Sequence, residues 1–373
     1  MMKEGGKTVP ASKQSMIFHV PYKLNPGATS GSAIRPVRMR QAFEDAGYVV
    51  EEIAGDALTR KRKIRALKAR IRRGERFEFV YSEASTMPTA LTEDHHLPLR
   101  PFFDISFLKF CTTHGIPAGV FYRDIYWQYP EYLNSVNRIV AMGTRALYRW
   151  DLIRYQSAVS KIFVPSMLMA EKMPHTNILQ CTALPPGASY DGDVSAVADT
   201  SALLFVGGTG PYYRMEECVR AVEETPGASL VLCTPENLWV QERARYSDLI
   251  GTSTEVIHAS GNGLDQYFAR TAIGSLFLEP IEYRAFAAPL KLYEYLSRGK
   301  PVVAVQGSLA AEFVEKHGVG WAIPYSAADL AALLERLKAD PAEYAAVHAQ
   351  VLRVREQHTW KARAEQAAHA LIG

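Results

Sequence analysis

The chain has 373 residues, of which 48% are hydrophobic and 22% are charged, and its formal net charge at pH 7 is +3. This length predicts two globular domains, and the mild charge gives no sign of nucleic-acid binding. The four cysteines are far apart and form neither a zinc motif nor a disulfide framework. The sequence contains no run of about 18 apolar residues that could span a membrane, and its N-terminus lacks the apolar core of a signal peptide. We therefore expect a cytoplasmic protein that contains no metal.

The first half of the chain alternates apolar segments with helical patterns. Residues 1–14 are expected to form a disordered tail. The segments that we predict as strands are SMIFHVP, YVVEEIAG, FEFVYSE, PAGVFYR and KIFVPS. Helical patterns lie between them, and the first of these ends at Gly47. The alternation predicts a parallel sheet covered on both faces, within a domain of residues 15–190.

A break in this pattern precedes the second half. The stretch LPPGASYDGDVSAVADTS is rich in Pro, Gly, Asp and Ser, and it predicts a linker at residues 191–200. Predicted strands then follow in the segments ALLFVGG, SLVLCTP, EVIHASG, IGSLFLEP and PVVAVQG, within a second domain of residues 201–350. Residues 351–373 are predicted to be helical. In open sheets of this kind, ligands bind beyond the carboxyl ends of the strands, so two facing domains would enclose a cleft.

The segment PLKLYEYLSRGKPVVAV predicts a short helix that starts after Pro289 and ends at Gly299. Lys291 and Glu294 are three residues apart and share one helix face. A helix N-terminus beside a lysine suits a diphosphate, and a carboxylate one turn further could accept hydrogen bonds from ribose hydroxyls. The alternative is an ordinary ion pair on the surface.

The segment FYRDIYWQYPEY places an arginine and an aspartate among rings at the end of a predicted strand. Asp124 could orient or deprotonate an acceptor hydroxyl, with Arg123 beside it. Tyr126, Trp127 and Tyr129 could stack on the faces of a sugar. The alternative is a structural Arg–Asp pair that caps the next helix beneath an aromatic core cluster.

Three further segments have two readings each. PYKLNPGATSGSAIR places Gly31, Ser32 and Arg35 either beside a ligand in the cleft or in a plain strand-to-helix turn. Residues 60–73, RKRKIRALKARIRR, form a basic helix that either presents a solvated face or attracts an anionic membrane or a lipid-diphosphate acceptor. The side chains of Glu83, His95, His96 and Asp104 match no standard metal-binding pattern, and an acceptor-side loop is the preferred interpretation.

Several of these segments, in this order, resemble a known family. KLYEYLSRGKPVV resembles the donor-site helix of GT-B glycosyltransferases, in particular the large retaining group called family four. LLFVGGTGPYYRMEECVRAV resembles their first C-terminal-domain strand, glycine loop and helix, and LPPGASYD resembles their linker signature. TWKARAEQAAHALI resembles the terminal helix that crosses back to the N-terminal domain. The resemblance covers most of the chain and implies the α/β GT-B architecture, with two Rossmann-like parallel-sheet domains facing a central cleft.

The resemblance also implies a function. A sugar would move from a UDP- or GDP-type nucleotide sugar to a hydroxyl of a glycan or lipid-linked acceptor, with retention of configuration, without a metal or other cofactor, in the cytoplasm or at the inner face of the membrane. Asp124 matches the family's cleft-facing aspartate, and Arg123 replaces a histidine. The implied donor-binding residues are Gly207, Gly208, Arg214, Leu290, Lys291 and Glu294.

The sequence departs from the family at one position that bears on catalysis. Many members have two glutamates separated by seven residues; Glu294 matches the second, but the first position is Phe286. The usual contact to the transferred sugar is therefore in question, and Arg214 alone stands where the family often has a diphosphate-binding pair. A sugar-nucleotide epimerase and a non-catalytic GT-B subunit are the rival functions. A Rossmann dehydrogenase is disfavoured because the dinucleotide fingerprint is missing.

Overall fold

The computed structural model describes residues 14–27, 31–190, 197, 199–210 and 213–373. Residues 1–13 of the predicted tail and most of the predicted linker at residues 191–200 lie outside this description. The described residues form two parallel sheets of six strands each, with helices between successive strands. The alternation of apolar segments with helical patterns is thus confirmed in both halves of the chain.

The first sheet has the strand order β2-β1-β3-β4-β5-β6. Its strands are β1 (Ser15–His19), β2 (Val49–Ile53), β3 (Val80–Glu83), β4 (Ala118–Phe121), β5 (Lys161–Val164) and β6 (Cys181–Ala183). Its helices are α1 (Gly31–Asp45), α2 (Ala57–Arg72), α3 (Phe103–Thr113), α4 (Pro130–Ser135), α5 (Arg138–Ala158) and α6 (Met167–Lys172). All the strand pairs are parallel, and the direction of winding reverses between β1 and β3.

The second sheet has the strand order β12-β11-β10-β7-β8-β9. Its strands are β7 (Ala202–Val206), β8 (Ser229–Cys233), β9 (Thr254–Ile257), β10 (Ile273–Leu276), β11 (Val302–Val305) and β12 (Gly320–Ile323). Its helices are α7 (Glu216–Glu224), α8 (Glu236–Tyr246), α9 (Asp265–Arg270), α10 (Leu290–Ser297), α11 (Leu309–His317), α12 (Ala327–Ala339) and α13 (Pro341–Val354). The winding reverses between β7 and β10, where a ligand is expected to bind in such sheets.

Two strands, β6 and β12, were missing from the sequence prediction. Both are edge strands, each with one hydrogen-bonded neighbour. The first has three residues, and the second includes Gly320. Neither forms the long apolar run that identifies the central strands, because an edge strand is covered less completely.

The last helix, α14 (Trp360–Ile372), follows the second domain in sequence but packs on the first. Trp360, Ala364 and Leu371 belong to the same apolar cluster as Phe18 and Phe43 of the first domain. Where the chain crosses, a Cβ at position 187 would lie 2.7 Å from the backbone of Thr359, so this close approach needs a glycine. Within the described parts of the chain, no helix has the length and apolar character needed to cross a membrane.

Candidate functional site

The carboxyl end of β7 opens onto a glycine loop. The N–H of Gly207 donates to the carbonyl of Cys233 on the neighbouring strand, at 3.0 Å. A Cβ at Gly207 would lie 2.8 Å from the ring of Phe205, so a larger residue would force that ring to move. Gly208 follows, so neither of the first two loop residues places a side chain of its own at the switch point between β7 and β10.

Helix α10 begins beside this loop. The N–H of Val206 donates to the hydroxyl of Tyr295 at 2.9 Å, which joins the end of β7 to α10. Pro289 precedes the helix, and no side chain among the described residues caps its first turn. Within that turn the N–H of Leu292 donates to the Pro289 carbonyl at 3.2 Å, so the N–H groups of Leu290 and Lys291 are the ones that an anion could bind. Leu290 packs against the apolar cluster of the first domain, so the helix starts at the junction of the two domains.

Lys291 and Glu294 share one face of α10, as predicted, and they form the ion pair that was the alternative to donor binding. Lys291 Nζ donates to Glu294 Oε2 at 2.5 Å, and both side chains are 31% exposed. Partial exposure leaves both groups accessible to a ligand. Because the ion pair is partly solvated, breaking it costs little free energy. Their roles in donor binding stay a prediction.

Two arginines flank the same opening. Arg214 Nη1 donates to Glu279 Oε2 at 3.4 Å, and Arg284 Nε donates to the carbonyl of Glu279 at 3.1 Å. Among the described residues, Arg214 Nε and Arg284 Nη2 are buried without a hydrogen-bond partner. Burial lowers the pKa of Arg284, and the nearby tyrosines and the Glu279 carboxylate offset this only in part. Arg284 is not among the predicted donor-binding residues, although it is the one basic residue between Glu279 and Pro289.

Asp124 lies at the opposite wall, after the end of β4. Its Oδ1 accepts from the N–H of Tyr126 at 2.9 Å, and its Oδ2 accepts from the hydroxyl of Tyr283 at 2.5 Å. Burial raises the pKa of Asp124, and these hydrogen bonds partly offset that rise. Tyr283 belongs to the second domain, so the candidate acceptor carboxylate faces that domain directly.

Arg123 points to a different carboxylate from the one beside it in sequence. Its Nη2 lies 3.4 Å from Glu83 Oε2 and donates to the hydroxyl of Tyr22 at 3.2 Å. Glu83 is fully buried, lies 3.3 Å from Arg35 Nε, and accepts from the hydroxyl of Tyr81 at 3.0 Å. Arg123 is thereby fixed next to Asp124 by a buried network at the carboxyl ends of β3 and β4.

The predicted aromatic platform is largely part of the core. Trp127 is fully buried, stacks on Tyr148 with 5.0 Å between ring centroids, and donates its indole N–H to the hydroxyl of Tyr122 at 3.1 Å. The prediction that Trp127 stacks on a sugar is therefore wrong, because neither face of its ring is accessible. Tyr126 hydrogen-bonds to the hydroxyl of Tyr148 at 3.0 Å, and Tyr129 packs on a ring from the second domain.

That ring is Phe286, which anchors a contact between the domains. Phe286 is 1% exposed and belongs to the apolar cluster of the first domain, with its ring 5.6 Å from that of Tyr129. The Ser166 hydroxyl donates to its carbonyl at 2.6 Å, and Lys172 pairs with Glu282 at 3.0 Å. We call residues 282–286 the interdomain clasp. An aromatic residue, at the position where the resemblance implies a glutamate, thus packs into the opposite domain.

The glycine loop of the first domain is only partly described. Residues 28–30 lie outside the description, and Gly31 and Ser32 are the first residues of α1. Arg35 is 5% exposed, donates to the carbonyls of Leu184 and Pro185, and lies 3.5 Å from the ring centroid of Phe121. The prediction that Arg35 lies beside a ligand is therefore wrong, because its buried side chain has a structural role beneath the cleft.

The basic helix is less exposed than its sequence indicates. Arg60 is 2% exposed, and its guanidinium makes two hydrogen bonds to Asp104, at 3.0 and 3.1 Å. Arg60 therefore belongs to a buried ion pair and is not part of the basic surface predicted for residues 60–73. Among the described residues, no group of three or more His, Cys, Asp or Glu side chains could hold a metal.

Comparisons with known proteins bear on the fold and on the C-terminal part of the chain. Residues 279–365 match the family model described as the glucosyltransferase 3-like C-terminal domain. The crystal structure of Anabaena HepE in complex with UDP and glucose superposes with a TM-score of 0.63 at 14% identity, over 96% of this chain and 99% of that chain. The chain has the GT-B fold.

Other GT-B structures are about as similar. WaaG, a glycosyltransferase involved in lipopolysaccharide biosynthesis, has a TM-score of 0.60 at 14% identity, over 96% of this chain and 100% of that chain. Sucrose-phosphate synthase from Thermosynechococcus elongatus has a TM-score of 0.61 at 15% identity, over 96% of this chain and 98% of that chain. No curated protein sequence gives a significant match. The predicted fold class is confirmed.

Proposed function

We propose that the protein is a glycosyltransferase that moves a sugar from a nucleoside diphosphate sugar to an acceptor hydroxyl in glycan or polysaccharide assembly. The observation that carries this proposal is the opening beyond β7 and β10. There the uncapped start of α10, with Lys291, and the backbone of Gly207 and Gly208 lie at the switch point of the second sheet, and Leu290 contacts the first domain. The match of residues 279–365 to a glucosyltransferase-like domain supports the same chemistry.

The donor would bind through its diphosphate. Free N–H groups of α10, the Lys291 ammonium and the unpartnered N–H groups of Arg214 and Arg284 would surround the phosphate oxygens. These groups would also stabilise the charge of the departing nucleoside diphosphate, so we propose that transfer needs no metal. Glu294 would accept hydrogen bonds from the ribose. The UDP and UDP-glucose complexes of Anabaena HepE favour a uridine nucleotide.

The acceptor would bind at Asp124. In the observed arrangement the Tyr283 hydroxyl donates to Asp124 Oδ2, which is the type of contact that an acceptor hydroxyl would make. An acceptor would therefore replace Tyr283 when the clasp moves away. Transfer with retention of configuration is proposed from the resemblance to the retaining group.

A non-catalytic subunit is a second candidate, and one observation favours it. Phe286 places a buried ring where relatives have a carboxylate for the transferred sugar. Such a subunit could keep the fold and the clasp without binding a donor. Donor binding therefore separates the two candidates.

A thermal-shift panel of UDP-, GDP- and ADP-sugars tests the proposal. A donor at about 100 times its Kd should add ~2.7 kcal/mol to the unfolding free energy. Glu294→Ala should abolish the shift, whereas Glu242→Ala, which removes an exposed i,i+3 pair with Arg245 on α8, should keep it. A flat panel with the wild-type protein would instead support the non-catalytic subunit.

Product analysis then tests the reaction. Asp124→Asn should lower turnover by about 100-fold or more and leave nucleotide affinity unchanged, because general acid–base groups contribute that much. Full activity of this variant would assign Asp124 to a structural role. Conversion of the donor sugar without any acceptor would indicate an epimerase.

A further inference from the structure

Helix α5 has an outer face on which large apolar side chains are exposed to solvent. Ile139 is 77% exposed, Met142 is 72% exposed and Ile153 is 50% exposed. With the exposed residues Ala146 and Arg149, they lie at spacings of three and four residues, so they form one stripe along the helix. A stripe of this length on an otherwise polar surface indicates a partner.

Arginines border this stripe. Arg138, Arg145 and Arg149 line a groove of about 520 Å³ together with Leu133 and Met142. The sequence contains no aspartate or glutamate from residue 138 to residue 150. Arg145 Nε is buried without a hydrogen-bond partner among the described residues. The surface therefore combines apolar side chains with cations that no acid on the same stretch neutralises.

The inner face of α5 anchors this surface close to the cleft. Tyr148 stacks on Trp127, and Thr144 Oγ1 lies 2.5 Å from the hydroxyl of Tyr132. Trp127 and Tyr132 follow Asp124 within eight residues in sequence, and they pack against this inner face of α5. The outer face of α5 is therefore separated from the acceptor wall by the helix itself, which with its side chains is about 10 Å wide, and by this layer of rings.

We propose that the outer face of α5, with Leu133, docks the protein on an anionic lipid membrane. Apolar side chains would enter the boundary between headgroups and acyl chains while arginines bind lipid phosphates, as in amphipathic interfacial helices. A second copy of the chain fits this surface less well, since a two-fold contact would bring like-charged arginines together. The inference extends the proposed function by placing a lipid-linked acceptor next to Asp124, but docking is measurable without activity.

Helix α2, which the sequence indicates as the membrane-binding element, is the natural comparison. Its apolar stripe of Ile64, Leu67 and Ile71 is buried. Lys63 lies 3.6 Å from Glu52, and Arg70 lies 2.7 Å from Glu51, so acids of β2 offset part of its charge. Charge without an exposed apolar stripe gives weaker and less specific attraction.

Co-sedimentation with vesicles of phosphatidylcholine, with and without phosphatidylglycerol, tests the proposal. The wild-type protein should bind the anionic vesicles. Arg145→Gln with Arg149→Gln should weaken partition by about tenfold or more. Lys61→Gln with Arg62→Gln on α2 removes the same charge and should weaken it much less.

The apolar stripe has its own pair of variants. Ile139→Ser with Met142→Ser should also reduce partition by about tenfold or more, whereas Val240→Ser, at a 54% exposed position on α8, should not. Equal losses from the α2 and α5 charge variants, or no binding by the wild type, would overturn the proposal. So would a concentration-dependent dimer that the Ile139→Ser and Met142→Ser changes abolish. A nucleotide-sugar thermal shift that survives in the α5 variants shows that donor binding stands independently of docking.

Discussion

The two walls of the cleft are built in opposite ways. At the first wall, the fully buried Glu83 contacts both Arg35 and Arg123. At the second wall, the glycine loop and the start of α10 present backbone N–H groups, and Arg284 keeps an unpartnered Nη2 among the described residues. Charges that are matched within the protein stabilise the fold, whereas unmatched donors are available to a ligand. Changes at the first wall should therefore reduce stability, and changes at the second should reduce donor binding.

The largest effect is expected for Glu83→Ala. The change leaves two buried guanidinium groups without their carboxylate, and breaking a buried ion pair in this way costs about 3–5 kcal/mol. Equilibrium denaturation with urea measures the loss. Glu282→Ala is the control, because its ion pair with Lys172 is largely exposed and should cost less than about 1 kcal/mol. Similar losses for the two variants would contradict the contrast between the walls.

Phe286→Ala should cost about 3 kcal/mol. The ring is 1% exposed, and removing it leaves a cavity between Tyr129 and Tyr283 at the domain junction. Phe102→Ala, at a 51% exposed position, should change the unfolding free energy far less. If Phe286→Ala unfolds in two separate transitions, the clasp is what makes the two domains unfold together.

A buried carboxyl without an arginine partner provides a pH test. Burial raises the pKa of Asp151 to about 7, although the hydrogen bond that its Oδ2 accepts from the N–H of Thr89 acts in the opposite direction. Its Oδ1 has no partner among the described residues. The unfolded chain releases this proton near pH 4, so the folded state binds more protons between about pH 4 and pH 7, and stability falls as pH rises through that window.

Asp151→Asn should remove this dependence. We expect the variant to be more stable than the wild type above pH 7, by on the order of 2 kcal/mol, and the difference to shrink towards pH 4. Thermal unfolding followed across this range measures the effect. A constant offset between the two proteins at every pH would show that Asp151 does not titrate in the window.

The smallest effect is expected for Tyr283→Phe. Loss of one hydrogen bond to Asp124 should lower the unfolding free energy by about 1 kcal/mol, while the ring keeps its contacts with Phe286. If the hydroxyl occupies the place of an acceptor, turnover should be kept or raised. A loss of turnover as large as that of Asp124→Asn would show instead that Tyr283 takes part in the reaction.

Much of the fold followed from local patterns. Apolar runs identified the central strands, and the three-residue spacing of Lys291 and Glu294 predicted a shared helix face, on which the structure forms the ion pair that was the alternative to donor binding. Glycine after β7 and proline before α10 predicted the loop and the helix start. These features depend on residues close together in sequence, where periodicity and capping rules apply.

The contacts between domains could not be read in this way. Asp124 and Tyr283 are 159 residues apart, and Ser166 and Phe286 are 120 residues apart. Nothing in the local pattern of either partner indicates the other. The same reason explains the errors over Arg60 and Trp127, since each has a type that is common at surfaces or sugar sites but is buried by distant neighbours.

The return of α14 to the first domain has a consequence for biogenesis. Trp360 and Leu371 complete an apolar cluster whose other members begin at Met16, so the first domain contains residues from both sides of the second. During synthesis, the apolar surface of the first domain stays uncovered until the second domain and α14 have left the ribosome. At ~5–20 residues per second, this delay is several seconds or more. The first half of the chain is therefore where we expect molecular chaperones to bind before folding is complete.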